Sequence, residues 1–236
     1  LSQVAQVDQR PGLSPEELVS VIGDYDGLMI RSGTQVTAEV IAAASKLKII
    51  GRAGVGVDNV DVPAATQRGV LVVNSPEGNT IAAAEHALAM MLSLSRHVPQ
   101  AHAGMRAGKW DRKKYVGNEL YKKTLGVVGL GKIGSHVARV ARAMGMEVIA
   151  YDPFIAADRA QQMQVRLTEL DELFRTADYV TLHIPRTKDT ENLVNAELLR
   201  TMKPTARIVN CARGGVVDEA AIAEAINNGV IAGAGL

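Results

Sequence analysis

The stretch Thr124 to Pro153, TLGVVGLGKIGSHVARVARAMGMEVIAYDP, constrains the fold most, because a strand, a tight turn, a helix and a second strand follow one another in it. Leu125, Val127 and Val128 form a short apolar run that predicts a buried parallel strand. The run stops at Gly129-Leu130-Gly131-Lys132-Ile133-Gly134, a G-x-G-x-x-G turn. Each glycine answers a different physical need. Gly129 permits the turn, Gly131 lets backbone approach a pyrophosphate, and Gly134 lets the helix pack closely on the sheet. Ile133, Val137, Val140, Ala141 and Met144 then recur on one helical face, with Gly145 at the C-terminal cap. Free N–H groups at the start of that helix suit an anion. Asp152 follows the expected strand Glu147 to Tyr151, eighteen residues past Gly134, where a carboxylate accepts ribose hydroxyls. A carboxylate there repels a 2′-phosphate, so NAD is expected rather than NADP. A lone G-x-G-x-x-G among 22 glycines is a weak signal; the strand, the amphipathic helix and the acid at the right distance turn it into a dinucleotide site.

The 236 residues suffice for two modest domains, and 47% hydrophobic and 22% charged residues with a net charge of +1 describe a globular protein. Nothing in that balance points to nucleic acid or a membrane surface, so the expected partners are small molecules and further copies of the chain. The single cysteine, Cys211, excludes an internal disulfide framework and fits a reducing compartment, with the cytoplasm as the default. No run of 18 apolar residues occurs, and LSQVAQVDQRPGLSPEE has neither the basic region nor the apolar core of an export signal. The chain does not begin with Met and stops at Leu236 after an apolar run, so a piece of a longer protein is expected.

Along the chain, Ser14-Pro15-Glu16-Glu17 reads as a helix start, leading to Leu18, Val19 and Ile22. A strand is expected at Leu28 to Ile30, a helix from about Thr37 to Ser45, a strand at Leu47 to Ile50, a helix near Val62 to Gln67 and a strand at Val70 to Val73. This alternation predicts a parallel sheet with ligand loops at the strand C-termini. Arg31 and Arg52 both fall at such ends, where their guanidinium forks match a carboxylate or a phosphate; two arginines in surface turns are the equal alternative. Asn74-Ser75-Pro76-Glu77-Gly78-Asn79 reads as a break, placing domains at residues 1–75 and 76–236. A long helix with Ile81, Ala84, Leu88, Met91, Leu92 and Ser95 on its buried stripe follows, kinked or restarted at Pro99. Arg106, Lys109, Arg112, Lys113 and Lys114 surround Trp110 and read as a solvated face, with an anion site or subunit contact as the alternative. Beyond the nucleotide unit, strands are expected at Val165 to Leu167, Tyr179 to Ile184, Arg207 to Asn210 and Val230 to Leu236, with helices at Leu170 to Thr176, Ala196 to Met202 and from Asp218 to near Gly229. Arg207 to Asn210 delivers Cys211-Ala212-Arg213-Gly214-Gly215 to the ligand edge.

GRAGVGVDNVD, EGNTIAAAEH, GLGKIG, YDP, LHIP and NCARGGVVDE, in this order and spacing, resemble the D-2-hydroxyacid dehydrogenase family over essentially the whole chain. The resemblance implies a Rossmann-type doubly wound parallel sheet with a smaller flavodoxin-like α/β substrate domain, both incomplete. RSGT at Arg31, the run Gly108 to Lys114 and NCARGG point within the family to a phosphorylated 2-hydroxy acid. That implies NAD-dependent oxidation of 3-phosphoglycerate to 3-phosphohydroxypyruvate, the first step of serine biosynthesis, in the cytoplasm or, in a plant or alga, the plastid. By the same resemblance Arg213 clamps the substrate carboxylate and polarises the reacting oxygen, while Arg31, Arg52 and the N–H groups of Gly54 and Val55 hold the anionic ends. Gly129, Gly131, Lys132, Ile133 and Gly134 lie at the pyrophosphate, Asp152 at the ribose, and Ile184, Cys211, Ala212 and Arg213 beside the nicotinamide half. Arg112 and Lys113 would reach a neighbouring subunit of a homodimer or homotetramer, and no metal is implied. The family's acid–base carboxylate and histidine come in sequence after GAGL, so the 236 residues alone are expected to be inactive, and the outer domain is expected to lack its first strand and helix. The alternatives are a glyoxylate or hydroxypyruvate reductase of the same family, and a non-enzymatic, corepressor-like NAD sensor.

Overall fold

The structure, a computed structural model, describes residues 2–236. They form two compact units, one ending at Asn79 and the other beginning at Thr80.

The first unit opens with α1 (Pro15–Val21), where the Ser14 hydroxyl accepts the Glu17 N–H at 3.2 Å and the Glu17 carboxylate accepts the Ser14 N–H at 2.8 Å. This reciprocal box satisfies two donors the helix cannot use internally. β1 (Gly27–Ile30), α2 (Ala38–Ala43), β2 (Ile49–Arg52), α3 (Val62–Gln67) and β3 (Leu71–Asn74) follow, with Thr37 and Asp61 capping the two helices. The strands are parallel in the order β1-β2-β3, with Ile30, Arg52 and Asn74 level. Right-handed crossovers in a sheet that grows in one direction put every connecting helix on the same face. Leu18, Ile22, Val40, Ile41, Ile50 and Ala65 accordingly make one buried cluster. The other face carries the rows Gly27-Ile49-Leu71 and Met29-Gly51-Val73, and it exposes Met29 by 63% and Leu71 by 58%. The second strand lies two residues later than the expected Leu47 to Ile50. As the central strand, β2 is paired on both sides through Gly51 and Arg52, and this pairing outweighs the turn character of the glycine.

The second unit begins with α4 (Thr80–Arg96) and α5 (Val98–Arg106). The parallel sheet comprises β4 (Thr124–Val128), β5 (Glu147–Tyr151), β6 (Arg166–Leu167), β7 (Tyr179–Leu182), β8 (Arg207–Asn210) and β9 (Gly233–Gly235). Its helices are α6 (Lys132–Ala143), α7 (Ala157–Gln162), α8 (Leu170–Thr176), α9 (Ala196–Arg200) and α10 (Glu219–Asn227). The spatial order is β6-β5-β4-β7-β8-β9, so the chain winds outward from β4, returns beside it at β7 and winds outward the other way. That is a doubly wound Rossmann-type sheet, and its reversal between β4 and β7 is where such folds hold ligands. One face packs Ala84, Met91, Val137 and Ala141 of α4 and α6; the other packs Leu173, Phe174, Leu199 and Ile222 of α8, α9 and α10.

Several expectations need correction. Ile81 and Leu92 are exposed, by 50% and 40%, because the buried face of α4 is centred on Ala84, Ala87 and Met91 and both residues fall on its flank. β7 stops at Leu182, which leaves His183 and Ile184 beyond the sheet edge, and the last strand is only Gly233–Gly235. α7 goes unpredicted because only Ala160 of its six residues is buried, too little for a periodic signal. The helix after α4 restarts at His97, whose φ of 53° breaks the spiral two residues before Pro99, and α5 buries no residue. Arg106, Lys109, Trp110, Arg112, Lys113 and Lys114 are all exposed.

Candidate functional site

Parallel register builds the site in the second unit. Val128, Tyr151, Leu182 and Asn210 are level at the C-terminal ends of four adjacent strands in the order β5-β4-β7-β8. The next residues, Gly129, Asp152, His183 and Cys211, therefore leave the sheet along one edge, and those after them form the loops there. Gly129 donates to the Tyr151 carbonyl at 2.9 Å and His183 to the Val128 carbonyl at 2.8 Å, which carries the sheet's bonding into the loops.

The three glycines of the turn meet different surroundings. Gly129 has φ of 92°, and a Cβ on it would come within 2.8 Å of both the His183 carbonyl oxygen and the Ile184 side chain. A Cβ on Gly134 would collide with the Gly129 carbonyl oxygen, so helix and turn are in direct backbone contact. A Cβ on Gly131 would meet no protein atom within 4 Å. The protein itself therefore requires Gly129 and Gly134, whereas at Gly131 the missing side chain leaves open space above the start of α6. Gly131 caps α6 without any side-chain bond, so the first-turn N–H groups, including those of exposed Lys132 and half-buried Ile133, lie beside that space. An anionic diphosphate is what such a cradle accommodates, through those N–H groups and the positive end of a twelve-residue helix.

Asp152 closes the turn from the neighbouring strand. Its Oδ2 accepts the Leu130 N–H at 2.7 Å and its Oδ1 accepts the Phe154 N–H at 2.9 Å. Ser135 adds a second lock, its hydroxyl donating to the Leu130 carbonyl at 2.7 Å. An ionised carboxylate has about four acceptor positions, so Asp152 retains capacity for two further donors such as vicinal hydroxyls.

On the other side of the turn, Asn210 organises the loop that carries Cys211, Ala212 and Arg213. Its Nδ2 donates to the Arg213 carbonyl at 2.9 Å and its Oδ1 accepts the Ala212 N–H at 3.1 Å. Arg213 is half-buried, and its Nη1 donates to the Ala212 carbonyl at 2.8 Å. Sequence reasoning overlooked Asn210 as an organiser, although an asparagine at a strand end before a glycine pair is a turn signal. Burial pushes the Cys211 thiol up, which keeps it a neutral neighbour rather than a nucleophile at neutral pH. His183 has its Nε2 3.0 Å from the Thr181 hydroxyl, and burial lowers its pKa to about 4, so the ring is neutral. Among the described residues, no group of three or more His, Cys, Asp or Glu side chains is arranged to hold a metal ion. Nor is any helix of these residues long and apolar enough to cross a membrane.

In the first unit, Arg31 is exposed just past β1 and Arg52 is the last residue of β2. The Arg52 guanidinium lies over Gly54, whose φ of 157° and lack of a side chain make room for it; a Cβ there would collide with Nη1. Arg52 Nε is buried without a partner. The Gly54 carbonyl accepts the Ser75 N–H at 3.1 Å and the Val55 carbonyl accepts Asn74 Nδ2 at 2.5 Å, so both carbonyls of this loop are engaged; the Gly54 N–H, expected to face an anion, instead donates to the Arg52 carbonyl at 2.9 Å.

The family model for the D-isomer specific 2-hydroxyacid dehydrogenase NAD binding domain matches residues 88–236. A D-3-phosphoglycerate dehydrogenase of Synechocystis sp. is 62% identical over all of this chain and 43% of its own length. One of Archaeoglobus fulgidus is 52% identical over 98% of this chain and 44% of its own. The chain thus spans less than half the length of these relatives. Among solved structures, D-lactate dehydrogenase from Aquifex aeolicus, complexed with NAD and lactic acid, superposes with a TM-score of 0.85 at 31% identity, covering 92% of this chain and 65% of that one. A glyoxylate reductase from Paecilomyes thermophila superposes with a TM-score of 0.87 at 31% identity, covering 94% of this chain and 70% of that one.

Proposed function

Because the chain belongs to the D-isomer specific 2-hydroxyacid dehydrogenase family, we propose that it binds NAD and serves the oxidation of 3-phosphoglycerate to 3-phosphohydroxypyruvate, the first step of serine biosynthesis. The observation that carries the cofactor is the open space at Gly131, bordered by the first turn of α6 and by the Asp152 carboxylate. The substrate rests on the 50–62% identity to relatives named D-3-phosphoglycerate dehydrogenase.

Bound NAD supplies the acceptor for a hydride from the substrate's carbinol carbon. Lys132, Ile133 and the N–H groups around Gly131 hold the pyrophosphate, and Asp152 receives the ribose hydroxyls while repelling a 2′-phosphate. Ile184, Cys211 and Ala212 shape the nicotinamide end as a neutral surface. Arg213, set by the Asn210 clamp, fixes the substrate carboxylate and stabilises the charge that shifts onto the reacting oxygen, because an always-charged fork gains most where charge develops. In the first unit, Arg31, Arg52 and the N–H group of Val55 hold the substrate's anionic ends, the Gly54 N–H being bonded to the Arg52 carbonyl. His183 is not the proton acceptor: with a pKa of about 4 and a hydroxyl rather than a carboxylate beside it, it is too weak a base near neutral pH. That role falls to the histidine and carboxylate that the family carries after the motif Gly233 to Leu236. The exposed Val98, Met105, Trp110 and Val116 support a homo-oligomer, and the single half-buried cysteine supports a cytoplasmic setting.

The test is Arg213→Ala in the complete enzyme. Turnover of 3-phosphoglycerate should fall about a hundredfold or more, ~3 kcal/mol of transition-state interaction, with NAD affinity little changed. A loss smaller than about tenfold would remove Arg213 from the reaction. The likeness to a glyoxylate reductase makes that activity the second reading, and a higher kcat/KM on glyoxylate than on 3-phosphoglycerate would establish it instead.

A further inference from the structure

We propose that Asn59 is the positioning residue that sets the Arg31 guanidinium for an anionic substrate; the proposal rests on the reading that Arg31 holds such an anion. Asn59 lies in the loop between β2 and α3 and is 5% exposed. Its side-chain Nδ2 donates to the Arg31 carbonyl at 2.9 Å and to the Thr34 carbonyl at 2.6 Å, the two ends of the turn that follows β1. Its own carbonyl accepts the Val36 N–H at 2.8 Å, and Val36 in turn accepts the Asp61 N–H at 2.8 Å. One residue thereby joins the entry, the end and the exit of the Arg31 turn to the neighbouring loop.

The turn has little else to hold it. Ile30 and Val36 are buried, yet no residue between them is, so no apolar side chain anchors the segment that carries Arg31. An exposed turn without an apolar anchor samples many conformations, and an arginine on it would lose much of its preorganisation. The orientation of the Asn59 amide is not arbitrary. Rotated by half a turn, it would press an oxygen against two carbonyl oxygens, so the donors must face the turn. The consequence is that Oδ1 points elsewhere, and it is buried with no partner. A buried acceptor left unsatisfied is destabilising, so packing alone would favour an apolar side chain of the same volume. What accounts for an amide here is the pair of bonds it donates.

On that reading Arg31 holds an anionic end of the substrate and takes no part at the reacting carbon. An interaction made equally in ground and transition states affects KM and leaves kcat alone. In the complete enzyme, Asn59→Asp, which replaces the nitrogen that donates both bonds by an acceptor oxygen, and the milder Asn59→Ser are therefore expected to raise KM for 3-phosphoglycerate by about tenfold or more, with kcat and NAD affinity within about twofold. Because Asn59 acts through Arg31, its effect should disappear in an Arg31→Ala background, so that the double variant matches Arg31→Ala alone. If Arg31→Ala leaves KM unchanged, the assignment of Arg31 fails and takes this proposal with it. If Arg31→Ala raises KM while the Asn59 variants do not, or if the two effects multiply independently, the assignment survives and the positioning role is overturned. Loss of folding in both Asn59 variants, or parallel losses in kcat and NAD affinity, would likewise reduce Asn59 to a structural residue.

Discussion

Asp152 carries two duties on one carboxylate. Its distance from the glycine turn made it recognisable in the sequence, and its bond to the Phe154 N–H is a local turn contact, but its bond to the Leu130 N–H did not follow from spacing, because that one depends on β5 lying beside β4. Asp152→Ala therefore removes both a turn lock and the proposed ribose contact, and should weaken NAD by about ten- to a hundredfold, ~1.4–3 kcal/mol. NADP should be weakened much less, since its 2′-phosphate gains when the negative charge leaves. Titration of the complete enzyme with each cofactor measures this, and equal losses would move the ribose contact to another residue. Asn210 marks the limit of residue-level reading: as part of NCARGG it looked like a strand terminus, whereas its amide organises the whole Arg213 loop.

Within the turn and α6, three glycines of one motif divide into two physical classes. Gly134 is in backbone contact with Gly129, so Gly134→Ala forces turn and helix apart and should lower the melting temperature by several degrees, as a core clash of ~1–3 kcal/mol does. Gly131 faces open space with φ of −63°, which any residue adopts, so Gly131→Ala should leave the melt unchanged while lowering NAD affinity. A melt lowered equally by both would show that the Gly131 space serves protein packing rather than a ligand. Elements with strong periodicity, such as α6, and strands with continuous apolar runs, such as β4 and β7, were legible because each buries a complete stripe or both faces. α7 was not legible, since one buried alanine leaves no period, and the stripe of α4 was read too wide, since periodicity gives a face but not the edges of what covers it.

Across the molecule, the two sheets are covered differently. The sheet of the second unit reverses direction and has helices on both faces, whereas β1-β2-β3 grows one way and has its helices on one. Fully buried Ile50 and exposed Leu71 should consequently respond in opposite ways: Ile50→Ala should destabilise the chain by ~2–5 kcal/mol, and Leu71→Ser by less than ~0.5 kcal/mol. Chemical denaturation of the 236-residue chain reads both, and a large loss for Leu71→Ser would mean that this face is packed in solution. The sequence alone determined the alternation of strands and helices, the nucleotide turn and the acid beyond it, because these are set by local sterics, period and spacing along the chain. Only the tertiary structure decided that Gly129, Asp152, His183 and Cys211 come level at one edge, that Asp152 locks the Leu130 turn, and that Asn59 reaches back to the Arg31 turn. Those arrangements are fixed by strand register and by hydrogen bonds between residues 22 to 28 positions apart in the chain, and short-range pattern contains no information about which distant partner a buried donor will find.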